Sequence, residues 1–101
     1  MLIHLGSGVS VHSEEIVSLT DLQMPLSKDT AALLNHLSRR RRVRRIGEDH
    51  KTMVLTHQDH HTVCYLSPLG LRTLRMRMEE ETALLLQLAA RQTDARNEVQ
   101  T

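Results

Sequence analysis

The sequence predicts an α+β fold: a single small domain with a short-stranded antiparallel sheet, one helix after the third strand and a long C-terminal helix. Three observations predict it. Short alternating apolar runs at the start are separated by Gly and Ser, which favour tight reversals. A capped apolar stripe then falls at helical spacing around Leu33. After Ser67-Pro68 a second and much longer helical stripe begins. With 101 residues the chain has room for one compact core. That core is aliphatic and thin, because Phe and Trp are absent and Tyr65 is the only aromatic residue. A thin core gains from burying a further face against another copy, so self-association is expected.

In chain order, Leu2 to Leu5, Val9 to Val11 and Ile16 to Thr20 read as strands, split by Gly6-Ser7-Gly8 and by His12-Ser13-Glu14. Pro25 ends that region, and Ser27 is placed to cap a helix by accepting from the amide of Asp29 or Thr30. Thr30, Leu33, Leu34 and Leu37 form its apolar stripe, while Asp29 in the first turn and Arg39 to Arg42 beyond the last suit the macrodipole. From Val43 a meander of strands is expected: Val43 to Ile46, a turn at Gly47-Glu48-Asp49, Lys51 to Thr56, a polar break at His57 to His61, then Thr62 to Ser67. Ser67-Pro68 predicts the start of the second helix, with Ser as cap and Pro in the first turn. Leu71, Leu74, Met78, Leu85 and Leu88 share one face, and the spacing predicts a helix to about Arg91, with a frayed polar end over 93–101.

The net charge of +1 conceals an asymmetry. Residues 36 to 78 carry ten Lys and Arg against three acids, +7, whereas residues 79 to 101 carry two Arg against five acids, −3. Such a layout suits a polyanionic partner, or charge pairing between segments or subunits. The single Cys64 cannot form an internal disulfide and lies in an apolar run, where a buried hydrophobe is expected. The longest apolar stretch, Ala83 to Leu86, is far below the roughly 20 residues that cross a bilayer. Met1 to Leu5 lacks the basic and apolar regions of a secretory signal. The cytoplasm is therefore the expected compartment, with no membrane partner.

The most conspicuous motif is Arg39-Arg40-Arg41-Arg42-Val43-Arg44-Arg45, six guanidinium groups in seven residues. Guanidinium forks match phosphate oxygens bidentately and release counterions along a nucleic-acid backbone. The plainer alternative is a solvated helix end and strand edge whose charges pair with Glu79 to Glu81. Lys51, Arg72 and Arg75 are candidate extensions of the patch, as is Arg77, although an amphipathic helix also carries such residues on its solvent face. Sequence-specific single-strand recognition needs aromatic platforms that this chain lacks, whereas contact with duplex DNA through phosphates does not. The segment His57-Gln58-Asp59-His60-His61, with His50, supplies metal-ligand types at no known site spacing, so a plain polar loop is preferred to a metal site. Nucleotide-binding loops and nucleophile turns are absent, and the pairs Glu14-Glu15 and Glu48-Asp49 fall in exposed turns. Neither an enzymatic activity nor a cofactor is expected.

Ile3-His4-Leu5-Gly6, Glu15-Ile16-Val17, Lys51-Thr52-Met53-Val54-Leu55-Thr56, and Tyr65-Leu66-Ser67-Pro68-Leu69 followed by Thr73-Leu74-Arg75-Met76-Arg77 occur in that order. In order and spacing they resemble the RemB-like branch of the bacterial extracellular matrix regulatory protein family (RemA/RemB). The resemblance covers residues 1 to 78, which divides the chain into a RemB-like regulatory region, 1–78, and a helical extension, 79–101. It implies a non-catalytic regulator tied to transcription of biofilm-matrix genes. It also implies that the chain forms a homo-oligomer like the RemA-like members, ring-shaped DNA-binding proteins. Those members carry an arginine-rich turn just before the strand that corresponds to Lys51 to Thr56. Here that turn reads Gly47-Glu48-Asp49-His50, only Lys51 is basic, and Glu15 stands near another arginine position of those relatives. Two acids at that turn repel phosphate, so the expected DNA contact moves to Arg39 to Arg45. The alternative is an interaction or scaffold protein without DNA, held by the basic segment of one chain against Glu79 to Glu81 of another.

Overall fold

The computed structural model describes residues 1–100, with side chains through residue 92. Its elements are β1 (Leu2–Gly6), β2 (Val9–His12), a single 3-10 turn (Ser13–Glu15), β3 (Ile16–Asp21), α1 (Lys28–Arg39), β4 (Val43–Arg45), β5 (Thr52–Gln58), β6 (His61–Ser67) and α2 (Leu71–Gln100). The α+β class, the helix after the third strand and the long C-terminal helix are all present. The strands form two sheets, an antiparallel β1-β2 hairpin and a four-stranded sheet of order β3-β5-β6-β4.

Alternation along β5 and β6 sends side chains to opposite faces, and both faces are covered. On one face Leu37 of α1 packs with Met53, Cys64 and Leu66, joined by half-buried Leu22, Leu33, Leu34, Val43 and Leu55. On the other face Ile3, Leu5 and Val11 of the hairpin pack with Ile46, Val54 and Leu74. The sheet is thus sandwiched between α1 and a layer made of the hairpin and the first turns of α2. Double coverage is why β5 reads as the continuous apolar run Met53-Val54-Leu55 instead of alternating.

The expected meander is modified at β4, which pairs with β6 in parallel, Val43 opposite Cys64 and Arg45 opposite Leu66. The chain leaves β4 with the amide of Ile46 bonded to the Leu66 carbonyl, then steps across the end of β6, where the amide of Lys51 bonds to the Ser67 carbonyl. Crossing that end places β4 on the far side of β6 from β5, and the direction of travel makes the pair parallel. The polar break expected over His57 to His61 is a two-residue turn. Gln58 pairs with His61, and Asp59 and His60 both take positive φ, 45° and 66°. That is the backbone that a tight hairpin of right-handed twist requires.

Ser27 caps α1 as expected, accepting from the Thr30 amide at 3.1 Å. Ser67 does not cap α2, which starts at Leu71, its first turn closed by the Leu74 amide on the Gly70 carbonyl. The Ser67 hydroxyl is instead fully buried, donating to the Leu5 carbonyl at 2.6 Å and accepting from the Leu69 amide at 3.1 Å. Thr52 holds the same connector through the Leu69 carbonyl at 2.7 Å. Beside it, Gly6 at φ +115° would bring a Cβ to 3.1 Å from Pro68, so a side chain there would be both strained and crowded where the hairpin tip meets the connector. The second helix passes the expected end near Arg91 and runs to Gln100. Thr101 and the side chains of 93–100, part of the segment expected to fray, lie outside the described residues. Among the described residues no helix is long and apolar enough to cross a membrane.

Ser67→Ala leaves the Leu5 carbonyl and the Leu69 amide without their partner in a buried place, which costs about 1–3 kcal/mol. Chemical unfolding is expected to show a lowered midpoint with an unchanged slope. A midpoint equal to that of the parent chain contradicts the role given to this hydroxyl.

Candidate nucleic-acid interface

The arginine run begins where α1 ends. Helices leave their last carbonyls unpaired, and one solution places a residue in the left-handed region just beyond the cap. Here Arg40 is the cap and Arg41 takes φ +58°. The Arg42 amide returns to the Leu37 carbonyl at 2.9 Å and the Arg41 amide to the Ser38 carbonyl at 3.1 Å. This pair of reversed bonds is the Schellman arrangement, in which glycine is the usual left-handed residue. Arginine at that position carries a backbone penalty of about 1 kcal/mol that glycine avoids. Arg41 thus places a guanidinium at the point where the backbone reverses.

Beyond the reversal, Arg44 and Arg45 stand on β4, an edge strand, and point to opposite faces of the sheet. Arg44 donates from Nη1 to the Arg41 carbonyl at 2.7 Å, tying strand to turn. Arg45 shares the face of Cys64 and Leu66. Burial pushes the Cys64 thiol up to about 11, with the Arg45 charge opposing in part, so this cysteine is an inert core residue. Arg39, Arg40, Arg41, Arg44 and Arg45 are exposed and Arg42 is half-buried. Among the described residues, ion pairs involve only the N-terminal ammonium, with Glu14 at 3.2 Å and Glu81 at 3.7 Å. The six guanidinium groups thus follow one another along the α1 end and β4 with no carboxylate partner among the described residues. The negative end of the α1 dipole offsets part of their mutual repulsion.

The other candidate residues fall elsewhere. Lys51 is exposed and sits at the start of β5, two strands in from β4, about 10 Å at ordinary strand spacing. Arg72 and Arg75 line a groove with Asp21, Gln23 and Glu79, beside the end of β3. β3 is the opposite edge strand, about 14 Å from β4 across three strand spacings. Arg77 reaches back to the His4 carbonyl at 2.8 Å, a packing contact on the hairpin. The structure therefore strings Arg39 to Arg45 along the end of α1 and the β4 edge, with Arg44 and Arg45 on opposite faces of that edge, leaves Lys51 at the margin of this strip, and separates Arg72 and Arg75 from it.

The acidic turn after β4 is compact. Gly47 and Asp49 take positive φ, 61° and 54°, and His50 Nε2 donates to the Gly47 carbonyl at 3.1 Å. Glu48 and Asp49 remain exposed beyond the strip. Glu81, one of the acids expected to meet a neighbour's arginines, is buried and accepts from the Ser13 hydroxyl at 2.6 Å, with the Met1 ammonium nearby. That leaves Glu79 and Glu80 exposed for such pairing. The separation of Ser13 and Glu81 in sequence hid this contact. The Glu14 carboxyl is held below its ordinary range by a hydrogen bond at its own backbone and by the Met1 ammonium. Glu15 accepts from the His12 amide at 3.1 Å, closing the 3-10 turn. His57 and His61 are in strands and His60 is in the turn, and among the described residues no three His, Cys, Asp or Glu side chains gather as a metal site.

Arg41→Gly relieves the left-handed strain and is expected to stabilise the fold by about 0.5–1 kcal/mol. Thermal unfolding should show a rise of a few degrees for a domain of this size. A fall in the midpoint would mean that the Arg41 side chain holds the fold together. Set against known proteins, the chain matches no family model and no curated protein.

Proposed function

We propose that the protein is a non-enzymatic regulator that binds duplex DNA through arginine-phosphate contacts, acting as an oligomer in the control of extracellular-matrix or biofilm genes. The observation that carries the DNA reading is the strip Arg39 to Arg45, six guanidinium groups with no carboxylate partner among the described residues. Phosphate oxygens supply the missing countercharge, and a row spread over a helix end and an edge strand follows a backbone more readily than it reads base edges. Sequence discrimination by this strip alone is therefore expected to be slight. The link to matrix genes rests on the ordered resemblance of residues 1 to 78 to RemB-like proteins. The DNA contact is not carried over from the RemA-like members, because the corresponding turn is acidic here.

A second reading, an interaction or scaffold protein without DNA, is favoured by the exposed leucines at positions 84–88 of α2. Its charge-paired version is weakened by the internal engagement of Glu81.

Affinity for a short duplex, followed by fluorescence anisotropy across a salt series, separates the two. If all six arginines pair with phosphates, the logarithm of affinity falls against the logarithm of salt with a slope of about −5. The double variant Arg44→Ser, Arg45→Ser is expected to reduce that slope by about 2. Absence of binding at low salt, or binding that survives replacement of every arginine from 39 to 45, overturns the DNA reading.

A further inference from the structure

From Thr82 onward every described residue of α2 is exposed, although the helix continues without a break. The stripe that packs on the body through Leu74, Met78 and Glu81 continues at the same three-and-four spacing as Leu85 and Leu88, which no described residue buries. Leu84, Leu85, Leu86 and Leu88 are 42%, 54%, 66% and 45% exposed. At 100° per residue these four span an arc of roughly 200°. A two-helix seam covers a stripe about half as wide, whereas a helix that is apolar over most of its circumference is one that others surround. The thirty residues of α2 extend about 45 Å, and helices in proteins draw most of their stability from tertiary packing of an apolar face.

Two open grooves lie where α2 leaves the body, one on each flank. On the β1 side Leu84 meets Met1, Leu2 and Ile3 around about 390 Å³, and on the β3 side Leu86 meets Leu19, Met78 and Ala83 around about 500 Å³. Between Thr82 and Ala90 there is no charged residue, so identical helices meet there without like-charge repulsion. The body end of α2 packs on β1 and β3, whereas the arginine strip is on β4, the opposite edge of the sheet. Copies joined along α2 therefore keep their arginines apart and exposed.

We infer that the free portion of α2 is the oligomerisation element of this protein, bundling with α2 of at least two other copies through Leu84, Leu85, Leu86 and Leu88. The inference deepens the oligomeric part of the proposed function and is independent of whether DNA is bound. It also replaces charge pairing with apolar burial as the force that joins the copies.

Light scattering on the full chain without DNA tests it. A mass at least three times 11.5 kDa is expected at tens of micromolar. The variants Leu85→Glu with Leu88→Glu, and separately Leu84→Glu with Leu86→Glu, should each fall to 11.5 kDa. Fluorescence of Tyr65, whose hydroxyl is held by Gln58, reports in the same samples that the body remains folded. A monomeric or dimeric parent chain overturns the inference, as does a parent mass retained by both folded variants. Duplex binding by a monomeric variant would show that the DNA reading stands separately.

Discussion

The hydroxyl of Ser67, buried between the Leu5 carbonyl and the Leu69 amide, is the constraint on which the arrangement of layers depends. The β1-β2 hairpin shares no strand pairing with the main sheet, so its attachment relies on apolar contact, on this bond and on the contacts of α2 through Arg77 with the His4 carbonyl and Glu81 with Met1 and Ser13. The same residue ends β6, receives the Lys51 amide on its carbonyl and begins the connector that aims α2. One residue therefore ties the hairpin and the connector to α2 through its hydroxyl and the start of β5 through its carbonyl. Gly6 lies closely against Pro68 at the same junction.

How much of this was legible in the sequence depended on range. Elements set by local chemistry were readable: the alternation of β1 and β2, the Ser27 cap and the stripe of α1 are decided within a few residues. Ser67-Pro68 misled because a Ser-Pro pair is an equally good helix start and tight connector, and the Leu5 carbonyl that decides between them is remote in sequence. β4 has three residues, too few to reveal whether its neighbour is parallel or antiparallel. The turn Asp59-His60 lacks the glycine that usually marks such hairpins. In the candidate site, the arginine run was evident, but not the left-handed Arg41 inside it, since nothing in a row of arginines shows where the backbone reverses. Arg72 and Arg75 looked like an extension of the patch by charge alone, and only the strand order β3-β5-β6-β4 separates them from it.

Charge and apolar surface are divided between opposite edges of the sheet. Among the described residues the β4 edge carries guanidinium groups without a carboxylate partner, an arrangement that resists edge-to-edge aggregation and suits a polyanion. On the β3 side α2 carries leucines beyond the body. A short aliphatic chain with one aromatic residue has a limited core of its own, and the free leucines offer further burial through association. The two features do not compete for the same surface, so assembly and polyanion binding can operate together.

The strip Arg39 to Arg45 is the proposed surface for phosphate. Amide chemical-shift mapping of the isotopically labelled full chain, titrated with a short duplex, tests this residue by residue. Shifts are expected to concentrate at 39–45, with a smaller response at Lys51 and little change around the Asp21, Arg72 and Arg75 groove. Shifts centred on that groove, or none anywhere at low salt, would contradict it.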